Sequence, residues 1–320
     1  MCKSLTDFIK TCHLKRYNFD DIKLENKIGE GGNANVYRCK IGCKNYAVKL
    51  YHSKVWCRRN GSLKSFFTCL TYEMKVAKRL EHAERSVKTY GYSYKKEDEN
   101  IKFMIVMELL VSDGALSDYI ANEKKWWTSH HKIDGVMNPT PSNDYVYYNR
   151  GDDIYWCYVM STKQKIRIIC DFIKAVKELH NVGVVHADIK SENTILHYGV
   201  TKQMVKLIDF GISYLKEDCD EIDCKCGTTG YCAPEQNNYE LSERSDIYSV
   251  AVVAIEVWNG EIWYGGKDFE SCRNEVIDGL KKIKKNHSDF GELLEECLSM
   301  DAEKRPTAKR LLDRLYQIQF

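Results

Sequence analysis

The chain has 320 residues, 43% hydrophobic and 29% charged, with 48 Lys and Arg against 46 Asp and Glu for a formal charge of +2. That balance excludes a disordered chain and the basic stripe of a nucleic-acid binder, and no apolar run reaches the ~20 residues of a membrane span. Its 14 cysteines follow no apolar leader after Met1-Cys2-Lys3-Ser4, and Cys2 stands where N-myristoylation needs glycine, so reduced thiols in the cytoplasm or another intracellular compartment are expected.

Residues 1–20 carry a weak helical pattern (Leu5, Phe8, Ile9, Cys12), which predicts a short N-terminal helix or extension over 1–21. From Ile22 to about Leu50, short alternating runs around Gly and Asn read as strands and tight turns. Phe66, Phe67, Leu70, Met74 and Ala77 have helical spacing and predict a helix over 63–80. Two more strands are expected at 87–94 and 101–110, joined by the charged turn 95–100. Past Asp113 the periodicity becomes helical. Helices are expected over 115–121, 162–180, 246–259, 290–300 and 307–316, the third of these nearly all apolar and therefore buried. The run Lys281-Lys282-Ile283-Lys284-Lys285 reads as a solvated helix face. Strands first and helices afterwards is the α+β pattern.

Several motifs carry chemistry within this frame. Ile28-Gly29-Glu30-Gly31-Gly32-Asn33-Ala34-Asn35-Val36 follows a strand, and its glycines let backbone N–H groups approach phosphates. Tyr46-Ala47-Val48-Lys49 sets a lysine on the strand beyond. Glu73 sits beside Met74 and Ala77, near a buried helix face, and needs a partner. Met104-Ile105-Val106-Met107-Glu108-Leu109-Leu110 is a buried strand. His186-Ala187-Asp188-Ile189-Lys190-Ser191-Glu192-Asn193 and Asp209-Phe210-Gly211 bring acid, amide and lysine groups to one stretch. Gly227-Thr228-Thr229-Gly230-Tyr231-Cys232-Ala233-Pro234-Glu235, Ser245-Asp246 and Arg305-Pro306 follow.

In this order and at these spacings the motifs resemble the protein kinase family, from about Ile22 to Leu315. The resemblance implies a two-lobed protein-kinase-like fold: a small antiparallel β-sheet lobe with one main helix, about 22–108, a hinge at 108–113, and a larger, mostly helical lobe over 114–320. It implies ATP and Mg²⁺ as cofactors and a protein substrate carrying Ser or Thr, while composition and charge imply no nucleic-acid and no membrane partner. Residues Ile28, Gly29, Glu30, Gly31, Gly32, Asn33, Ala34, Asn35 and Val36 would cover the phosphates. Lys49 would contact them and pair with Glu73. Ala47, Leu196 and the gatekeeper Met107 belong to the nucleotide site, and Glu108 and Leu110 would offer a backbone carbonyl and amide to adenine. Asp188 would orient or accept the proton of the attacking hydroxyl, with Lys190 offsetting charge and Thr228 bridging the two. Asn193 and Asp209 would hold the metal. Glu235 would pair with Arg305, and Asp246 would fix the catalytic-loop backbone. Lys190 favours Ser/Thr over Tyr, and Glu192 hints at basic substrates. The alternative is a pseudokinase or nucleotide-binding scaffold that docks partners. Its usual mark, loss of Lys49, Asp188 or Asp209, is absent. A kinase of small molecules on the same fold is a third reading.

Departures from the family pattern are informative. Ala34 replaces the third glycine, and Tyr248 replaces a tryptophan. Ala187 replaces the arginine that receives an activation-segment phosphate, and the segment itself is acidic (Glu217, Asp218, Asp220, Glu221, Asp223), which together predict activity without phosphorylation there. Ser213, Tyr214 and Thr228 keep that open. An insertion of roughly 35 residues, about 123–160, is longer than most structureless loops. It is rich in aromatics (Trp126, Trp127, Tyr145, Tyr147, Tyr148, Tyr155, Trp156, Tyr158), with a turn at 138–143. It is either a partly ordered loop packed on the large lobe or a docking surface for a protein partner. Cys219, Cys224, Cys226 and Cys232 lack zinc-site spacing.

Overall fold

The computed structural model describes residues 12, 14–31, 34–98, 100–112, 114–122, 126–128, 145–150, 153–158, 160–199, 203–221, 227–238, 240–262 and 268–320, with backbone alone at 59–60, 122, 126–128, 145–150, 153–158 and 219–221. The N-terminal part is a six-stranded sheet made of β1 (Lys15–Arg16), β2 (Ile22–Glu30), β3 (Ala34–Ile41), β4 (Lys44–His52), β5 (Thr89–Glu97) and β6 (Asn100–Met107). Its spatial order is β1-β5-β6-β4-β3-β2, antiparallel throughout except where β1 runs parallel to β5. Between β4 and β5 the chain forms α1 (Ser53–Asn60) and α2 (Leu63–Arg79).

Strand β4 is buried on both faces, and this decides where the lysine goes. Val48 and Leu50 join Ile22, Cys39, Met104 and Val106 on one side. On the other side Tyr51 packs with Phe66, Phe67, Leu70 and Met74 of α2 and with Tyr92, Phe103 and Ile105 of the sheet. Each such fully buried side chain contributes about 1.5–3 kcal/mol of transfer free energy. Period-two alternation then sets Lys49 on the α2 side, beneath the helix.

The large lobe begins with α3 (Leu116–Asn122) and continues through α4 (Thr162–Asn181), whose start is fixed by a capping box between Ser161 and Gln164. Short strands follow: β10 (Val184–Val185) pairs with β13 (Tyr214–Leu215), and β11 (Thr194–Tyr198) pairs with β12 (Gln203–Leu207). Helices α5 (Glu243–Asn259), α6 (Phe269–Asn286), α7 (Ser288–Cys297) and α8 (Ala308–Leu315) complete it. Every residue of α5 from Ser245 to Val257 is buried, so this helix is the axis of the lobe. It ends at Gly260, which adopts φ 65°, a left-handed conformation costly to any residue with a Cβ. No helix among the described residues is long and apolar enough to cross a membrane.

The structure corrects several sequence expectations. Of the short helix or extension expected over 1–21, Lys15–Arg16 is a strand and Phe19–Asp21 a 3-10 turn, while Leu5, Phe8 and Ile9, which carry most of the helical pattern, lie outside the described residues. Gly91 lets β1 approach: a Cβ there would stand 2.0 Å from the Lys15 carbonyl oxygen. The charged stretch 95–100 is mostly strand, since β5 and β6 extend to the pair Glu97–Asn100 and their charges meet across the strands, as Lys102 and Glu97 do at 2.8 Å. Helix α1 was not foreseen, and of α6 only the helix face at 281–285 was. Within α6 the basic run behaves as read: Lys281, Lys282 and Lys285 are exposed while Ile283 is buried. The buried helix starts at Glu243 rather than Asp246, because Ser242 and Ser245 cap it reciprocally. In the insertion the backbone forms a three-stranded antiparallel sheet, β7 (Trp126–Thr128), β8 (Tyr145–Arg150) and β9 (Asp153–Tyr158), in the order β7-β9-β8. Aromatic residues favour pleated backbone, which explains strands where a loop was read. The turn expected at 138–143 lies outside the described residues.

One ion pair closes the large lobe. Arg305, with no side-chain exposure, meets Glu235 through a fork of 2.6 and 2.8 Å and also donates to the carbonyls of Ser299 and Arg244. Burial pushes the Glu235 carboxyl up, yet the Arg305 fork and the Ser245 hydroxyl hold it below its ordinary value. Removing one partner strands a buried charge, so Arg305→Ala should lower the unfolding free energy by about 3–5 kcal/mol in urea titration. The double variant Arg305→Met with Glu235→Gln should lose much less. Equal losses in the two would show that the pair itself, and not a stranded charge, supplies the stability.

Candidate active site

Lys49 is the meeting point of three elements. Its Nζ lies 2.8 Å from Glu73 Oε1 on α2 and 2.7 Å from Asp209 Oδ1, just past β12. Glu73 occupies the buried face of α2, and its Oε2 accepts a 2.8 Å bond from the Tyr51 hydroxyl. Burial alone would push the Lys49 ammonium down, but the Asp209 and Glu73 carboxylates outweigh it and hold its pKa well above the ordinary lysine value. Asp209 is held at about 2, chiefly by the Lys49 charge, although nearly half its side-chain surface (46%) is open. Its backbone sits at φ 63°, and the Gly211 amide donates to its Oδ1 at 3.3 Å.

Asp188 is gripped from three sides. Thr228 Oγ1 donates to its Oδ1 at 2.7 Å, while Asn193 Nδ2 and Lys190 Nζ each reach Oδ2 at 3.0 Å. Lys190 also donates to Thr228 Oγ1 at 2.8 Å. Asn193 spends its amide nitrogen on Asp188, on the carbonyl as well as the carboxylate, which turns its own Oδ1 away from that residue. The Asn193 and Asp209 oxygens are hard donors of the type that suits Mg²⁺.

The loop carrying Asp188 is held by Asp246, at 1% exposure on α5. Its two oxygens accept the amides of His186 at 2.9 Å and Ala187 at 3.0 Å, and His180 Nε2 lies 3.0 Å away. Ala187 needs this hold, because its φ of 66° is a left-handed conformation that costs ~1–3 kcal/mol in a residue with a side chain. The Ala187 carbonyl accepts from Gln236 Nε2 at 3.2 Å. His186 accepts the Asp188 amide on Nδ1, so its Nε2 donates to the Ile208 carbonyl at 3.1 Å.

At the hinge, the Glu108 amide donates to the Lys88 carbonyl at 2.8 Å. Among the described residues the Glu108 carbonyl and the Leu110 amide enter no backbone pair. Met107 and Leu110 are half-buried against the large-lobe core, and Leu196 is buried within it. Ala47 and Met107 are opposite each other in the sheet. In the glycine-rich segment Ile28, Gly29 and Glu30 end β2, Ala34, Asn35 and Val36 begin β3, and the Gly31 amide donates to the Ala34 carbonyl at 2.9 Å. Gly32 and Asn33 lie outside the described residues.

Sequence reasoning missed four contributors. Tyr51 stands two residues past Lys49, so strand periodicity alone puts it on the same face. Lys206, almost fully buried on β12, reaches both Glu108 oxygens at 2.7 and 2.9 Å and ties the hinge to the strand before Asp209. A lysine among Met204, Val205, Leu207 and Ile208 was the available signal. Gln236 and Arg79 gave none, because their partners are distant in sequence. The described residues contain no cluster of three or more His, Cys, Asp and Glu that could hold a metal ion.

A family model described as protein kinase domain matches residues 22–317. The probable serine/threonine-protein kinase fnkE of Dictyostelium discoideum is 27% identical over 255 residues, 78% of this chain and 16% of that protein. Serine/threonine-protein kinase ppk16 of Schizosaccharomyces pombe is 25% identical over 320 residues, 98% of this chain and 40% of that protein. Ribosomal protein S6 kinase alpha-6 of Danio rerio is 33% identical over 171 residues, 51% of this chain and 22% of that protein. The chain thus spans less than half the length of these relatives.

The depressed Asp209 carboxyl has a pH signature. A carboxylate lowered on folding contributes stability above its unfolded value, ~4, and loses it as the pH falls toward the folded one. The stability difference between the wild type and Asp209→Asn should therefore narrow between about pH 5 and pH 3, read from urea midpoints. A difference that stays constant over this range would mean that Asp209 is not held by Lys49.

Proposed function

This chain belongs to the protein kinase family, and from that premise we propose that it transfers the γ-phosphoryl group of ATP to Ser or Thr hydroxyls of protein substrates. The observation that carries the reading is the triple grip on Asp188. Thr228, Asn193 and Lys190 fill three of roughly four lone-pair positions on the carboxylate, which leaves one on Oδ1 for an incoming hydroxyl. As the new O–P bond forms and the bond to ADP breaks, the hydroxyl proton passes to that oxygen. Lys190, already beside Asp188 and Thr228, offsets the charge moving past it. Lys49, aligned by Glu73, faces the nucleotide phosphates. Asn193 and Asp209 would hold Mg²⁺, which when bound shields the phosphate charge. This chemistry is mostly positioning and electrostatics, so the geometry of fixed groups is what matters. Lys190 supports Ser/Thr over Tyr, and the names of the relatives point the same way.

We further propose that the activation segment needs no phosphate. Ala187 offers no guanidinium to receive one; it packs with Val185, Tyr214 and Leu241 instead. The segment's own acids take the basic partners: Glu217 pairs with Arg79 and Asp218 with Lys75 at 3.3 Å, both on α2, the helix that carries Glu73. Arg79 also donates to the Val182 carbonyl at 2.9 Å. Side-chain bonding to Arg79 holds the Glu217 carboxyl below its ordinary value. These carboxylates occupy the role that a phosphate plays elsewhere, bridging the segment to the small lobe.

Two measurements test these readings. The wild type should move labelled γ-phosphate from Mg-ATP to a basic protein, with phosphoserine or phosphothreonine as product, and Asp188→Asn should lower the rate by about 10²–10⁴-fold. Phosphotyrosine alone would refute the specificity. Phosphatase-treated enzyme should keep its rate; loss of activity together with a mapped phosphosite between 212 and 226 would end the second proposal.

A further inference from the structure

Tyr51 is absorbed by none of the roles above, yet it touches the group that aligns Lys49. It lies on β4 opposite Ala34 on one side and Phe103 on the other. Its ring is buried (4% exposed) and packs against Phe66 of α2 at 6.3 Å between centroids, with the Lys49 ammonium 5.2 Å from its own centroid. Its hydroxyl donates to Glu73 Oε2 at 2.8 Å while Lys49 takes Oε1 at 2.8 Å. A Cβ placed on Gly211 would stand 3.8 Å from the same hydroxyl, so Tyr51 also borders the turn that carries Asp209.

Two donors on two oxygens do what one cannot. The terminal torsion of a glutamate is broad, so a carboxylate held at a single oxygen can pivot about that contact. A second donor, fixed by a ring locked in the core, removes the pivot and fixes the plane of the carboxylate. The arrangement also penalises departure of α2. Moving Glu73 outward would leave a buried phenol without its acceptor and a buried ammonium short of one counter-charge, and unmade buried bonds of this kind are costly. Burial and the neighbouring Glu73 charge both push the Tyr51 phenol well above its ordinary value, so it stays a neutral donor at every working pH.

We infer that Tyr51 is a positioning residue for phosphoryl transfer: its hydroxyl fixes the Glu73 carboxylate, and through it holds α2 inward and Lys49 on the nucleotide phosphates. The inference rests on the kinase reading for its catalytic consequence and on the hydrogen bond for its conformational one, and the two can be tested apart. Tyr51→Phe keeps the ring and removes only the donor. It should lower kcat/KM for ATP about tenfold, chiefly in kcat, the size expected for leaving one buried carboxylate oxygen unsatisfied. On a Glu73→Gln background the same change should cost less than about twofold, because residues acting through one contact are not additive. Hydrogen exchange without nucleotide should show residues 70–77 of α2 opening several-fold faster in Tyr51→Phe, with exchange in α5 unchanged. Equal activity losses on the two backgrounds would overturn the assignment, since Tyr51 would then act independently of Glu73. Unchanged exchange in α2 would overturn the latch on α2. Should even the wild type transfer no phosphate, the kinase reading fails while the exchange experiment still decides what Tyr51 does.

Discussion

Asp246 presents a carboxylate with almost no access to water to the inner side of the catalytic loop, and the geometry of the site descends from it. A buried charge is tolerable only when its oxygens are satisfied, and here two consecutive amides, His186 and Ala187, satisfy them. Consecutive amides can point at one carboxylate only if the chain turns sharply, and the left-handed Ala187 provides that turn. Once it is made, Asp188 emerges toward Thr228 and Asn193 on one side, and the His186 ring reaches the Ile208 carbonyl, next to Asp209, on the other. A carboxylate on the most buried helix thereby sets where Asp188 and Asp209 stand relative to each other.

The small lobe solves a different problem: keeping a lysine charged where burial opposes it. Two carboxylates from separate elements, helix α2 and the segment after β12, flank Lys49 and together hold its charge against burial. The full cluster of one ammonium and two carboxylates therefore forms only when the two lobes are assembled. The outer ion pairs of Arg79 and Lys75 lie on exposed surface and are individually weak, but they act on the same helix and in the same direction.

Much of this was legible in the sequence because it is local or periodic. The spacing within His186–Asn193 already fixed which groups could meet, and the 3.6-residue pattern over 63–80 put Glu73 on a buried face. Legibility failed where the deciding partner was remote. Nothing near Lys15 announces that Gly91 will let it pair as a strand, and nothing near Arg79 announces Glu217. Helix α1 was hidden by its polar surface, and α6 showed only its lysines. In the insertion, aromatic richness was noticed but its meaning as strand-forming backbone was not.

The pairing of β1 with β5 bears on how the protein behaves before it is fully folded. Without those two residues, β5 would be the outermost strand on its side of the sheet and would present a row of unpaired amides and carbonyls, the template on which foreign strands add. The close approach permitted by Gly91 lets a segment of the same chain occupy that template first. A segment that contributes almost nothing to the core thus covers the edge of β5 at Gly91 and Tyr92, and a glycine outside the Lys49 cluster is what admits it.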